Sequence, residues 1–284
     1  MHMSARAMTV LLGSAVLAAP TFAQARPFGY TPGTQRYRVT TVTHNQRDQT
    51  GGRAPLEYSY TTTQMLTVAL TPKGKSRDSL ALAITVDSID VSSTDMDTQK
   101  PDLTWARGVK LVGTLSRTGK LYDLAPSEGS SPNLLALAAG FRHFFVDFPS
   151  PALHVGTTWG DTVHDQVRNR SSFDSVLTET IASYKIAGDT TFAGQPVWRI
   201  ERTSTISIAG DGKEGGQPLH MDGDGSIRSV QFVNPAGVYL GSKSTQTLRI
   251  VESFKETGEG APQTQTIKST IEPVPPVRTA DAGR

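Results

Sequence analysis

The chain has 284 residues, 37% of them hydrophobic, with 28 Lys+Arg against 26 Asp+Glu and a formal net charge of +2. Both signs of charge are scattered along it, which argues against nucleic acid and against strong attraction to anionic lipid headgroups, because both need concentrated positive charge. Cysteine is absent, which removes disulfide staples, thiolate metal sites, a cysteine nucleophile and lipid attachment through an N-terminal cysteine.

The N-terminus has the organisation of an export signal. A short basic start (residues 1–6) runs into an uncharged apolar stretch (7–19). Pro20 follows, and then Ala23-Gln24-Ala25, the small-x-small pattern of a cleavage site. The apolar run is shorter than the about 20 residues that span a bilayer. The expected product is therefore exported to the periplasm or beyond and is not an integral membrane protein. Residues 26–34, rich in Pro and Gly, are expected to form a flexible lead, 35–272 a single β-rich domain, and 273–284, with Pro273, Pro275 and Pro276, a disordered tail.

The clearest strand signal is 58–70. Tyr58, Tyr60, Leu66, Val68 and Leu70 share one parity, and Ser59, Thr61, Thr63 and Thr67 the other. At about 3.3 Å per residue it would run roughly 40 Å, the length of a strand in a large curved sheet. In the next segment Leu80, Leu82, Ile84 and Val86 are even, but Ile89 and Val91 are odd. A bulge near Asp87-Ser88 would return both groups to one face. Further strands are predicted at 109–115, 120–124, 158–165, 177–186, 197–208, 226–233, 237–240, 245–254 and 265–271. Turn chemistry separates them at Pro72-Lys73-Gly74, Thr118-Gly119, Ala193-Gly194, Gly210-Asp211-Gly212 and Pro235-Ala236-Gly237.

One helix is predicted, at about 131–148. Ser131 can cap it and Pro132 suits its first position. Leu134, Leu137, Ala138, Phe141, Phe145 and Phe148 follow at helical spacing, and Pro149 and Pro151 end it. It reads as a plug for the open side of a curved sheet, or as a movable lid over a lipid-sized cavity. The fold class is all-β and mainly antiparallel: a large curved sheet or half-open barrel with this helix on its concave face.

Signatures of catalysis are missing: no Gly-x-Ser-x-Gly, no Ser-x-x-Lys and no His-Glu-x-x-His occurs. The stretch Gly113 to Gly119-Lys120-Leu121 has one residue too many for a phosphate loop and reads as a hairpin turn. His44, His143, His154, His164 and His220 show no i,i+2 or i,i+4 pairing that would make a local zinc site. His164-Asp165 could orient an imidazole but has no nucleophile beside it. Asp222 and Asp224, between glycines, resemble the first half of a calcium loop. No bidentate glutamate follows, so a polar hairpin turn is preferred. No enzyme activity and no cofactor are expected.

The segment Val155-Gly156-Thr157-Thr158-Trp159, after the central helix, joins a turn glycine to a large aromatic. Trp159 is expected to anchor the core or to wall an apolar ligand. Together with Gly194, Val197 and Ile200 downstream, it resembles a group of secreted bacterial proteins thought to share the half-open barrel of periplasmic lipoprotein carriers of the LolA/LppX type. The resemblance spans about 35–271, although the lipid-anchoring cysteine of many such proteins is missing. It implies a curved antiparallel sheet with a helix against its concave face, enclosing an acyl-chain site.

The leading functional expectation is an exported binding protein with an apolar groove formed by Leu134, Leu137, Phe141, Phe145 and Trp159, carrying a lipid or a lipid-modified partner. The alternatives are a structural or protein-interaction module of the cell envelope with no small ligand, and an envelope hydrolase. An outer-membrane barrel fits less well, because Arg202 and Glu252 interrupt the alternating faces.

Overall fold

A computed structural model describes residues 26–49, 54–74, 78–93, 101–149, 152–170, 172–258 and 260–275. The export signal expected at 1–25 lies outside the described residues, as does the tail beyond 275. Thirteen strands are present among the described residues: β1 (Arg26–Pro27), β2 (Gly33–Arg47), β3 (Leu56–Pro72), β4 (Ser79–Ser92), β5 (Lys110–Ser116), β6 (Leu121–Pro126), β7 (Ala152–Leu153), β8 (Thr158–Arg170), β9 (Phe173–Phe192), β10 (Gln195–Glu214), β11 (Gln217–Asn234), β12 (Val238–Phe254) and β13 (Gly260–Pro273). One helix, α1 (Pro132–Gly140), joins them.

Eleven strands form one antiparallel sheet in the order β6-β5-β4-β3-β2-β13-β12-β11-β10-β9-β8. It is made of two meanders, β2 to β6 and β8 to β13, fused where β13 pairs with β2. The outer edges β6 and β8 do not pair with each other, so the curved sheet stays open as a half-barrel. The connection from β6 to β8 carries α1 across the concave face.

Period-two patterning decides which side chains enter that face. In β3, Leu66, Val68 and Leu70 are buried, and in β4 so are Leu80, Leu82, Ile84 and Val86. The predicted bulge is present. Met65 opposes Ser88 and Leu66 opposes Val86, so Asp87 is the extra residue and Ile89 turns inward with the others. Thr67 donates to the Asp87 carboxylate at 2.7 Å.

The turn predicted at Gly210-Asp211-Gly212 lies inside β10, where the register shifts between Asp211 and Gly212. A Cβ on Gly212 would stand 2.0 Å from the Ser172 carbonyl oxygen, so this glycine serves a close backbone approach and not a reversal. The chain reverses instead at Gly215-Gly216, both at positive φ (58° and 86°), the two-residue hairpin geometry that glycine favours. Asp222 and Asp224 accordingly sit in mid-strand on β11 and not in a hairpin turn.

One further expectation is corrected. The helix runs over Pro132–Gly140 instead of 131–148. Ser131 caps it by accepting from the Leu134 N–H at 3.3 Å. After Gly140 the chain continues in tight turns, with Phe144 N–H donating to the Phe141 carbonyl at 3.0 Å. Glycine is a poor helix residue, and the aromatic side chains beyond it fill the sheet better from an irregular path. In the 26–34 lead, Phe28 and Tyr30 are buried in the core. Tyr30 N–H donates to the Arg117 carbonyl at 2.7 Å and Thr31 N–H to the Gly237 carbonyl at 3.0 Å. The lead is thus threaded between two hairpin turns.

The core sits at the end of the half-barrel where those turns lie. Phe28 and Phe148 meet with ring centres 4.4 Å apart, Phe144 and Tyr239 at 5.0 Å, and Tyr30 and Phe145 at 5.2 Å. The Tyr30 hydroxyl accepts from Val146 N–H at 3.1 Å and donates to the Val146 carbonyl at 3.2 Å. These contacts pin the aromatic half of the crossing segment. A smaller cluster of Phe173, Val176, Leu219 and Met221 closes the far end of β9 to β11. Between the two cores the concave face is polar.

Candidate functional site

A cavity of ≈ 420 Å³ separates α1 from that polar stretch of sheet. Its roof is apolar, formed by Ala136 and Leu137 of α1 and by Phe141 and Phe144 just beyond it. Its floor follows from strand register. One row across the sheet reads Thr62, Thr41, Ser269, Ser244, Ser229, Arg202, Tyr184 and Trp159, each directly opposite the next. The neighbouring row places Gln64, Val39, Ile271, Ser242, Gln231 and Ile200 side by side. The cavity therefore has a largely greasy ceiling and a floor of hydroxyls and amides interrupted by Val39, Ile227 and Ile271, with one guanidinium.

That guanidinium belongs to Arg202, only 6% exposed. Its Nε donates to the Ser204 hydroxyl at 2.9 Å, and its carbon lies 5.6 Å from the centre of the Tyr184 ring. One terminal nitrogen, Nη2, has no hydrogen-bond partner, and neither has the amide oxygen of Gln231. His143 lines the cavity as well. Burial, reinforced by the Arg202 charge, holds its imidazole down to about 4, so it is neutral at pH 7.

Of the five residues expected to form an apolar groove, two line the cavity and three lie elsewhere. Leu137 and Phe141 line the cavity. Leu134 sits half-buried in the first turn of α1, away from it. Phe145 lies in the aromatic plug, its ring centre 5.9 Å from Tyr239. Trp159 stacks on Tyr184 at 5.1 Å with the planes 5° apart, which makes it a wall behind Arg202 and not part of the cavity lining. Arg202, Gln231, His143 and the serine row are the residues that sequence reasoning did not select.

A second cleft, of ≈ 590 Å³, occupies the open seam between β6 and β8 and is lined by Lys120, Asp123, Arg142, Asp147, Asp161 and His164, among others. Burial raises the Asp147 carboxyl above its ordinary value. Arg142 forms an ion pair with Asp165, tying the exit of α1 to β8. The His164-Asp165 pairing is therefore not made, and His164 faces Glu179 on β9 at 3.3 Å. On the outer face, a depression of ≈ 450 Å³ runs past Glu201, Arg228, Lys243 and Lys268 and is open to solvent.

At the far end of β10 and β11, Asp211 and Asp222 flank His220 at 2.8 and 2.9 Å, and Lys255 reaches Asp211 at 2.8 Å. The hydrogen bond that the His220 imidazole donates to the Asp211 carboxylate raises its pKa above the ordinary value. Asp224 is exposed one step along the same strand face. Among the described residues no group of three or more His, Asp or Glu is arranged to hold a metal ion. In the same residues no helix is long and apolar enough to cross a membrane.

No protein-family model matches this chain, and no curated protein matches it. Among solved structures it shows a likeness to a DUF1329 family protein from Desulfovibrio piger, at 12% identity over 88% of each chain with a TM-score of 0.15. A second likeness is to OmpT, an outer membrane protein of Vibrio cholerae, at 8% identity over 84% of this chain and 99% of that one, with a TM-score of 0.21. Superpositions this loose carry no statement about the function of the chain.

Proposed function

We propose that this is an exported binding protein that holds an amphiphile, a lipid or the lipid portion of a modified partner, between α1 and the concave face of the sheet. The observation that carries the reading is the two-sided cavity. Its volume of ≈ 420 Å³ falls within the range of about 300–1,000 Å³ typical of small-molecule sites. An apolar roof over a hydroxyl and amide floor suits a ligand with one greasy and one polar part. An open antiparallel sheet with a helix on its concave face is also the arrangement implied by the resemblance to lipoprotein carriers of the LolA/LppX type. The export signal at 1–25 would deliver the protein to the periplasm or the exterior, where such ligands are moved between membranes.

Native mass spectrometry of protein produced in the envelope should show a co-purifying lipid mass, and added lipid should raise the melting temperature. A ligand-free spectrum with no thermal shift would end this reading. A protein-interaction role has one observation in its favour: Leu177 and Ile181 project from β9, beside the free edge β8, at 53% and 51% exposure. Crosslinking in intact cells through those positions, without a bound lipid, would favour that role.

A further inference from the structure

Arg202 stands out because a buried cation without a counter-charge is costly: removing it from water costs several kcal/mol unless an opposite charge compensates. Among the described residues no carboxylate lies within 4.0 Å of its nitrogens, and Nη2 is left without any hydrogen bond. The side chain is nevertheless held in place. Nε is committed to Ser204 and the guanidinium faces Tyr184, which itself stacks on Trp159. A planar, always-charged donor fixed from behind, with one N–H edge unsatisfied and belonging to a residue that lines a cavity, is suited to an anionic oxygen.

The surroundings define the rest of the ligand. Ser229 and Ser244 lie beside Arg202 in the same row, offering hydroxyl donors. Leu137, Phe141 and Phe144 stand across the cavity and offer hydrocarbon. Gln231, one row away and 5% exposed, keeps an unpartnered oxygen that can accept from an alcohol or from a protonated oxygen on the head.

Resting on the carrier reading, we infer that the cavity is the head-group site for an anionic amphiphile, in which Arg202 binds the carboxylate or phosphate-ester oxygens while the hydrocarbon lies against the roof formed by α1 and the residues just after it. The ligand would thereby supply the direct ion-pair partner that no carboxylate among the described residues provides.

Binding is measured on the full exported protein after delipidation, with three probes: hexadecanoate, 1-hexadecanol and inorganic phosphate. The variants are Arg202→Gln and Arg202→Lys. Hexadecanoate is expected to bind the unaltered protein about tenfold or more tightly than hexadecanol, the difference of one charge-assisted contact. Arg202→Gln should bring hexadecanoate down to the hexadecanol level and leave hexadecanol unchanged. Arg202→Lys, which keeps the charge but loses the planar fork, should weaken hexadecanoate alone and serves if the Gln variant does not fold.

Equal binding of the two amphiphiles, or a preference untouched by both substitutions, overturns the head-group site while leaving the carrier reading intact. Failure of both amphiphiles to bind overturns the carrier reading and the inference with it. Phosphate binding that is lost in Arg202→Gln, without amphiphile binding, would instead make this a free-anion site.

Discussion

Whether the lead belongs to the fold can be tested at a single hydroxyl. Tyr30 is 0% exposed, and its Oη both accepts from Val146 N–H and donates to the Val146 carbonyl. Tyr30→Phe keeps the ring against Phe28 and Phe145 and removes only that oxygen. Two buried backbone groups on the crossing segment then lose their partner, each at a cost of about 1–2 kcal/mol, the lower part of the range for an unsatisfied buried group, so the expected destabilisation is about 2–4 kcal/mol. Tyr37→Phe is the internal control. Its buried hydroxyl makes one bond, to the Tyr239 carbonyl at 2.7 Å, and its loss should cost about half as much. Urea unfolding followed by far-ultraviolet circular dichroism reads both. At an m-value near 3 kcal/mol/M the Tyr30 variant should lose roughly 1 M in midpoint, with the slope unchanged. A Tyr30→Phe midpoint within about 0.2 M of the unaltered protein, in the same urea assay, would refute the claim that the lead and the crossing segment are locked together. So would a larger loss in Tyr37→Phe than in Tyr30→Phe.

Gly119 has φ of 107°, and a Cβ there would stand 1.9 Å from the Val146 carbonyl oxygen; Gly119→Ala should therefore cost about 3 kcal/mol or more in the same unfolding assay. Gly140→Ala is the contrast, since nothing lies within 4 Å of its Cβ position, and it should be neutral or stabilising by up to about 1 kcal/mol. His143, held down to about 4 in the folded state, should make stability fall as pH drops from about 6.5 to about 4. Across that window the unfolded chain takes up a proton that the folded chain refuses, a loss of up to about 3 kcal/mol. His143→Gln should remove that part of the slope in urea titrations run at successive pH values, and an unchanged slope would refute the assignment.

Much of the sheet was legible because period-two patterning is a local signal. The parity switch between Val86 and Ile89 located the bulge at Asp87 within one residue, since a register slip on a half-buried strand would expose every inward side chain. Glycine was the less legible signal. Gly210-Asp211-Gly212 and Gly215-Gly216 look equally like turns in the sequence, yet only the second pair reverses the chain. The difference lies in the Ser172 backbone, which approaches from β9 and is invisible in the local sequence of β10. Helix periodicity overran in the same way. Phe145 and Phe148 keep helical spacing beyond Gly140, but their rings are claimed by Tyr30, Tyr239 and Trp198 on other elements, and tertiary packing decided their backbone.

The candidate site is harder to read, because an apolar groove is signalled by apolar residues and the decisive residue here is a cation. Arg202 shares parity with Ile200, Ile206 and Ile208, which marked it as an interruption of an inward face and counted against an outer-membrane barrel. That same interruption was the available signal for a site. An inward arginine on an otherwise apolar strand must either meet a carboxylate from another element or wait for an anion. Sequence alone cannot say which, because a partner could come from any of ten other strands in the sheet. Register decides: directly opposite Arg202 stand Ser229 and Tyr184, not Asp or Glu. The nearest acid in its own strand, Glu201, points to the other face and pairs with Arg199 at 2.7 Å. The charge is thus left without a carboxylate directly opposite it by alternation itself, the rule that makes the strand recognisable. A site of this kind is found in sequence by asking which inward residues the pattern cannot explain.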